Sequence, residues 1–146
     1  MQDQFQRNID YLRISVTDRC NLCCKYCMPA EGVQWLPHEL ILSFEEILRL
    51  MRISTKLGFL RFRITGGEPL VRKDILSFLQ ESAKLPGVKD LMITTNGLLL
   101  PEMAFDLKRA GVQRVNISLD TMDPERFQDI TRGGMSRRSF KGSFAP

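Results

Sequence analysis

The sequence alternates four times between a short strand pattern and a helix pattern. Runs rich in apolar and β-branched residues predict strands at about 11–16, 59–65, 90–95 and 112–119. Each run is followed by apolar residues that share one helical face, at about 43–57, 73–84, 101–110 and 123–131. Crossovers of this length permit parallel pairing, so the alternation predicts an α/β fold with right-handed βα units.

Local signals mark the ends of these elements. Ser43 and Glu46 match the capping box that starts a helix, and Gly58 and Gly111 stand where helices end in a left-handed cap. Asn96 and Gly97 form a strong turn pair directly after the third predicted strand. We therefore expect the strand and helix patterns to be separate elements.

Four parallel strands are too few to close a barrel, which takes eight in this class of fold. The sequence therefore predicts a partial (βα) barrel of the TIM type with about four βα units. Its apolar periodicity is lost from Gly133, so we expect residues 1–134 to form the N-terminal part of a core domain. Residues 135–146 would be a divergent basic tail without regular structure, in a chain that is either a fragment or altered at its end.

The net charge of +4 depends on three cations of that tail, Arg137, Arg138 and Lys141. Without them the net charge is +1, so a basic surface for nucleic acid is not expected on the fold. The first ten residues lack the apolar run of a secretory signal, and no apolar stretch is long enough to span a bilayer. We expect a cytoplasmic chain, in which cysteines bind metals more often than each other.

All four cysteines lie in one loop, at positions 20, 23, 24 and 27. Zinc is disfavoured because structural zinc sites separate their two cysteine pairs, whereas these pairs are adjacent. A disulfide between neighbouring Cys23 and Cys24 would be strained. The remaining spacing is Cys-x3-Cys-x2-Cys, formed by Cys20, Cys24 and Cys27, in which three thiolates would bind three irons of a cubane cluster and leave the fourth iron open.

The carboxyl ends of the predicted strands carry the cysteines, Gly66-Gly67-Glu68, Thr94-Thr95-Asn96 and Ser118-Leu119-Asp120. Ligands bind at this edge in parallel α/β folds, so we expect the four loops to converge on one rim. The cysteine spacing followed by Gly-Gly-Glu-Pro resembles the radical S-adenosylmethionine (SAM) superfamily. The longer segments around them resemble the GTP 3′,8-cyclase family of molybdenum cofactor biosynthesis over about residues 8–134. These segments lie at 11–21, 27–29, 63–72, 94–97 and 116–121.

The resemblance implies site residues and cofactors. Cys20, Cys24 and Cys27 would hold a [4Fe-4S] cluster whose open iron binds SAM, while Cys23 would be a bystander. By the same resemblance Tyr26, Gly67 and Ser118 would contact SAM, and Arg13, Arg63 and Thr94 would contact GTP. A buried arginine without a partner is costly, so Arg13 and Arg63 imply an anion unless they lie on exposed strand faces. Glu68 is expected to brace its turn rather than act as a base.

The reaction that the resemblance implies is the conversion of GTP to 3′,8-cyclo-7,8-dihydro-GTP by a radical derived from SAM. It also implies an electron donor of the flavodoxin or ferredoxin type and, for intact family members, a homodimer. Family members carry a second cluster on a downstream cysteine triad, yet this sequence has no cysteine after Cys27. We therefore expect the 146-residue chain to make little or no product. A peptide-modifying radical SAM enzyme and a non-catalytic iron-binding fragment remain alternatives.

Overall fold

The computed structural model describes residues 2–133; residue 1 and residues 134–146, with the predicted tail, lie outside the described part. Four strands alternate with four α-helices in chain order. They are β1 (Tyr11–Ser15), α1 (Phe44–Lys56), β2 (Arg61–Thr65), α2 (Ile75–Lys84), β3 (Asp90–Thr95), α3 (Leu100–Arg109), β4 (Arg114–Ile117) and α4 (Pro124–Ile130). Short 3-10 turns lie at His38–Leu40 and Pro69–Val71.

The strands form one parallel sheet in the order β1-β2-β3-β4. The α/β class and the partial barrel-like core are confirmed, and the sheet of the described residues is open rather than closed. Sequential neighbours pair because each helix returns the chain to the amino end of the adjacent strand.

The capping box at the start of α1 is present in both directions. The Ser43 hydroxyl accepts a hydrogen bond from the Glu46 amide, and the Glu46 carboxylate accepts one from the Ser43 amide at 2.7 Å. Loss of such a cap costs about 1 kcal/mol. The serine is therefore a specific reason for α1 to begin at Phe44.

Two strands begin two residues later than predicted because the preceding helices end in Schellman motifs. After α1, the amide of Gly58 donates to Thr55 O and that of Phe59 to Ser54 O. After α3, Gly111 and Val112 repeat these bonds to Lys108 O and Leu107 O. Phe59 and Val112 thus complete helix ends, and β2 and β4 start only at Arg61 and Arg114.

The two faces of the sheet differ in polarity. The face toward the helices carries the main core, in which Phe62, Ile64, Leu91 and Ile93 are fully buried. The opposite face carries the alternate residues of the same strands, among them Arg13, Arg63, Thr94 and Asn116. This polar face is the one that would line the interior of a barrel.

A second, smaller core lies beneath the cysteine loop. It contains Leu22, Cys24 and Phe127, with Leu98 and Leu119 packed against it. It joins the loop after β1 to helix α4. Among the described helices, none is both long and apolar enough to cross a bilayer.

Candidate functional site

The loop after β2 is attached to the segment that leads into the cysteines. The Gly67 amide donates to Thr17 O and the Glu68 amide to Arg19 O, both at 2.8 Å. These bonds extend the pairing of β1 and β2 beyond the ends of the strands. The Gly-Gly-Glu turn and the cysteine loop are therefore parts of one rim.

The loops after β3 and β4 reach the same rim through side chains. The side-chain nitrogen Nδ2 of Asn96 donates to Asn21 Oδ1 at 2.8 Å and lies 3.9 Å from Cys20 Sγ. The Tyr26 hydroxyl donates to Asp120 Oδ2 at 2.8 Å. All four predicted loops thus meet at the carboxyl edge of the sheet.

The four cysteines are free thiols with different exposure. Cys24 is buried, Cys20 is half-buried, and Cys23 and Cys27 are exposed. Burial raises the pKa of the Cys20 and Cys24 thiols, and the charge of Cys27 adds to both shifts. Cys20 in turn raises the pKa of Cys24. The charges of the predicted ligands thus influence the pKa values of Cys20 and Cys24.

Within the described residues, no group of three or more His, Cys, Asp or Glu side chains is arranged to hold a metal ion. Thiolates around one zinc ion lie about 4 Å apart, since each Zn–S bond is about 2.3 Å long. A four-iron cluster is a larger body, so its thiolates stand further apart. The fit to a cluster therefore rests on donor type, on spacing and on the interaction among Cys20, Cys24 and Cys27.

Gly66 and Gly67 are required by a close approach within the chain. A Cβ on Gly67 would lie 2.3 Å from Arg19 O and 2.6 Å from Asp18 O. A Cβ on Gly66 would lie 2.4 Å from Thr17 O, and its φ of +150° is in the region that favours glycine. The two glycines thus let this turn pack against the backbone that precedes the cysteines.

Glu68 is fully buried and braces the turn, as expected. Its Oε1 accepts hydrogen bonds from Leu70 N at 3.0 Å and Thr95 Oγ1 at 2.8 Å, and its Oε2 accepts one from Asn96 N at 2.7 Å. Burial raises the pKa of this carboxyl group, and the three donors oppose that shift. Thr95 and Asn96 lie at the end of β3, so the Glu68 carboxylate joins the turn after β2 to the end of β3.

Two of the predicted GTP residues are adjacent in the sheet. Arg13 on β1 is in register with Arg63 on β2, so two guanidinium groups project from one face of neighbouring strands. Arg63 is half-buried beside Met92 and lies over the Tyr11 ring, with 5.4 Å from Cζ to the ring centroid. Arg13 is exposed. Among the described residues, neither arginine forms a salt bridge, so the pair presents uncompensated positive charge.

Unbonded polar atoms lie on this same face. Arg63 Nε and Thr94 Oγ1 are buried and have no hydrogen-bond partner among the described residues. Leaving a buried donor unbonded costs about 1–3 kcal/mol, so such atoms commonly have a ligand or water as partner. Arg63 and Thr94 belong to adjacent strands. The structure therefore brings these two predicted residues together and leaves them available to a ligand.

The three predicted SAM residues lie on three different loops of the rim. Tyr26 is largely exposed, and the carboxylate of Asp120 raises its pKa by accepting its hydroxyl proton in a hydrogen bond. Gly67 is exposed at the tip of its turn. Ser118 follows β4 directly, and its amide donates to Thr95 O at 2.9 Å.

Sequence reasoning missed two arginines that hold the rim. The Arg72 guanidinium donates to Val16 O and Leu42 O, and stacks on Phe44 with 3.9 Å from Cζ to the ring centroid. Arg132 donates to three carbonyl groups of the cysteine loop. Neither role has a signal in spacing or periodicity, because the acceptors are backbone carbonyls far away in sequence.

Comparison with known proteins agrees with this geometry. Residues 14–142 match the Radical SAM superfamily. The chain is 54% identical over 143 residues to the GTP 3′,8-cyclase of Thermodesulfovibrio yellowstonii, which covers 97% of this chain and 44% of that protein. It is 57% identical over 140 residues to the GTP 3′,8-cyclase of Geobacter sulfurreducens, covering 96% and 43%. The chain thus spans less than half the length of these curated relatives.

A solved structure supports the fold. BtrN, crystallised in complex with AdoMet and 2-DOIA, superimposes with a TM-score of 0.59 over 93% of this chain and 55% of BtrN, at 17% identity. At this sequence identity, the similarity is evidence for the fold only. The match of residues 14–142 to the family covers most of the sequence, and the chain therefore belongs to the radical SAM superfamily.

Proposed function

We propose that this chain holds one [4Fe-4S] cluster and SAM at its rim and receives GTP on the polar face of the sheet, as part of a GTP 3′,8-cyclase. Membership of the superfamily implies the cluster and SAM, and the similarity to named GTP 3′,8-cyclases supports the substrate. The observation that carries the proposal is the pair of unbonded atoms Arg63 Nε and Thr94 Oγ1, on strands whose carboxyl ends meet the cysteine loop at one rim.

Cys20, Cys24 and Cys27 would hold the cluster, and each thiol must lose its proton to do so. The raised pKa values of Cys20 and Cys24 show that the metal-free loop favours the protonated form. Hydrogen bonds from Leu22 N at 3.4 Å and Asn96 Nδ2 at 3.9 Å lower the pKa of Cys20 in part. These donors would stabilise the Cys20 thiolate once it binds iron.

When bound, the cluster and SAM would supply a radical that removes a hydrogen atom from the ribose of GTP. The role of the chain is to bind and orient. Tyr26, Gly67 and Ser118 would contact SAM from three loops of the rim, so SAM would bridge the loops after β1, β2 and β4. Glu68 would keep the loops after β2 and β3 in place without touching either ligand.

GTP would bind through its charge and through a hydrogen bond. Paired guanidinium groups are suited to phosphate because each presents several fixed donors. Arg13 and Arg63 are in register on adjacent strands, so both can face one triphosphate. Thr94 would use its unbonded hydroxyl toward the same ligand. This assignment also accounts for two like charges placed side by side.

We place the chain in the cytoplasm, where free cysteines persist, with a flavodoxin-type or ferredoxin-type electron donor. A homodimer is proposed for the intact enzyme, and no nucleic-acid partner.

The test is anaerobic reconstitution of the chain with iron and sulfide, followed by reductant, SAM and GTP. We expect an iron–sulfur chromophore and formation of 5′-deoxyadenosine. Calorimetry with GTP would show binding that Arg63→Gln weakens. A chain that binds iron but forms no 5′-deoxyadenosine would support the non-catalytic alternative, and absence of GTP binding would contradict the substrate assignment.

A further inference from the structure

Arg132 lies just after α4 and contacts the cysteine loop, which precedes it by more than 100 residues in the sequence. Its Nη1 donates to Cys23 O at 3.2 Å, Met28 O at 2.7 Å and Pro29 O at 3.2 Å. These carbonyl groups flank the segment that contains Cys24 and Cys27. One guanidinium group therefore connects the two ends of the part of the loop that holds two of the three ligands.

The backbone of Arg132 is unusual for an arginine. Its φ is +54°, in the left-handed region that side chains with a Cβ adopt at a cost in free energy. The amide of Arg132 donates to Asp129 O and that of Gly133 to Gln128 O, which is the Schellman pattern seen after α1 and α3. The equivalent positions after those helices are Gly58 and Gly111. Arginine thus replaces the glycine that this geometry favours, and its side chain is what it adds.

Other contacts attach the same helix end to the loop. The Lys25 amide donates to Ile130 O at 2.9 Å, and Lys25 Nζ forms an ion pair with Asp129 at 2.5 Å. Phe127 packs against Leu22 and Cys24 in the smaller core. The end of α4 and the cysteine loop therefore form one structural unit, and Arg132 is its link to the segment after Cys27.

We propose that Arg132 is a positioning residue for the cluster, which fixes the backbone on both sides of Cys24 and Cys27 so that the thiols are presented together. This inference rests on the proposed cluster. The group that the loop would bind is an iron–sulfur cluster held by thiolates, and Arg132 would affect its binding by fixing the backbone of the loop.

The first test uses the metal-free chain. Hydrogen exchange would be measured at the amides of Lys25, Cys27 and Met28, which donate to Ile130 O, Cys24 O and Cys24 O. We expect exchange at least about tenfold faster in Arg132→Gln and Arg132→Gly than in wild type. Arg126→Gln, which removes an exposed arginine from α4 itself, is the matched control and should leave these rates unchanged. Unchanged rates in both Arg132 variants would overturn the inference.

The second test uses the reconstituted chain. Loss of its visible absorbance in an anaerobic chelator should be roughly 10–100-fold faster in Arg132→Gln and Arg132→Gly, with Arg132→Lys between them and wild type. Arg132→Gly relieves the backbone conformation, so its thermal midpoint should not fall below that of Arg132→Gln, which separates positioning from misfolding. Wild-type cluster retention in Arg132→Gly would overturn this inference alone. A wild-type chain that takes up no cluster would overturn the proposed function and this inference together.

Discussion

Thr94 and Thr95 are adjacent on β3, and their hydroxyl groups have opposite environments. Thr95 Oγ1 donates to Glu68 and accepts a hydrogen bond from Gly97 N at 3.0 Å. Thr94 Oγ1 is buried without a partner among the described residues. At the scale of single residues, this contrast separates a hydroxyl that supports the fold from one that is available to a ligand.

Thr94→Val should therefore leave the free energy of unfolding unchanged or raise it, because it removes a buried polar atom that has no partner. The same change should weaken GTP binding about 3–10-fold, the value of one lost hydrogen bond. Urea denaturation and calorimetry with GTP measure the two effects. Thr95→Val is the control and should lose about 1–3 kcal/mol of stability. Equal GTP affinity of Thr94→Val and wild type would contradict the role of Thr94.

Glu68→Gln tests the buried carboxylate. Its two oxygens face three donors, so a glutamine would turn its own NH2 group toward Asn96 N or toward Leu70 N and Thr95 Oγ1. We expect a loss of about 1–3 kcal/mol in the free energy of unfolding at neutral pH, measured by urea denaturation of the metal-free chain.

The control for Glu68→Gln is Glu81→Gln, an exposed residue paired with Lys84 at 2.7 Å, which should change stability by less than about 0.5 kcal/mol. The opposing effect is the cost of burying the charged carboxylate, which raises the pKa of Glu68. Because the protonated group is easier to bury, its protonation favours folding at pH values below the ordinary pKa of glutamate. This stabilisation is lost as the pH rises through the folded pKa. A Glu68→Gln chain as stable as wild type would show that this cost outweighs the three hydrogen bonds.

At the scale of elements, the rim depends on how closely the turn after β2 packs against the segment before the cysteines. Gly67→Ala would place a methyl group 2.3 Å from Arg19 O, so the backbone must shift. We expect a loss of about 1–3 kcal/mol in unfolding free energy and a reduced uptake of the cluster, measured by denaturation and by visible absorbance.

Gly32→Ala is the matched control for that change. Gly32 lies in the segment after the cysteines and has a φ of +86°. Nothing lies within 4 Å of the Cβ that an alanine would add there. It should lose about 1 kcal/mol through conformation alone and keep its cluster uptake. If Gly67→Ala takes up the cluster as well as Gly32→Ala does, close packing of this turn is not what positions the cysteine loop.

At the scale of the whole molecule, the alternating patterns are enough to predict the order and type of the four strands and four α-helices of the described residues. The capping box and the helix-ending glycines were also visible, because each depends on residues close in sequence. The predicted starts of β2 and β4 are too early, since each Schellman motif ends on an apolar residue, Phe59 or Val112, that resembles the first residue of a strand. The rim contacts of Arg72 and Arg132 could not be predicted, because side chains that bind distant carbonyl groups leave no local pattern.

The central claim is that three of the four cysteines hold one cluster, and single Cys→Ser variants test it most directly. Iron, sulfide and visible absorbance would be measured after anaerobic reconstitution of wild type, Cys20→Ser, Cys23→Ser, Cys24→Ser and Cys27→Ser. We predict about four irons per chain in wild type and in Cys23→Ser, and loss of the chromophore in the other three. Loss of the cluster in Cys23→Ser, or its retention in any of the other three, would contradict the account.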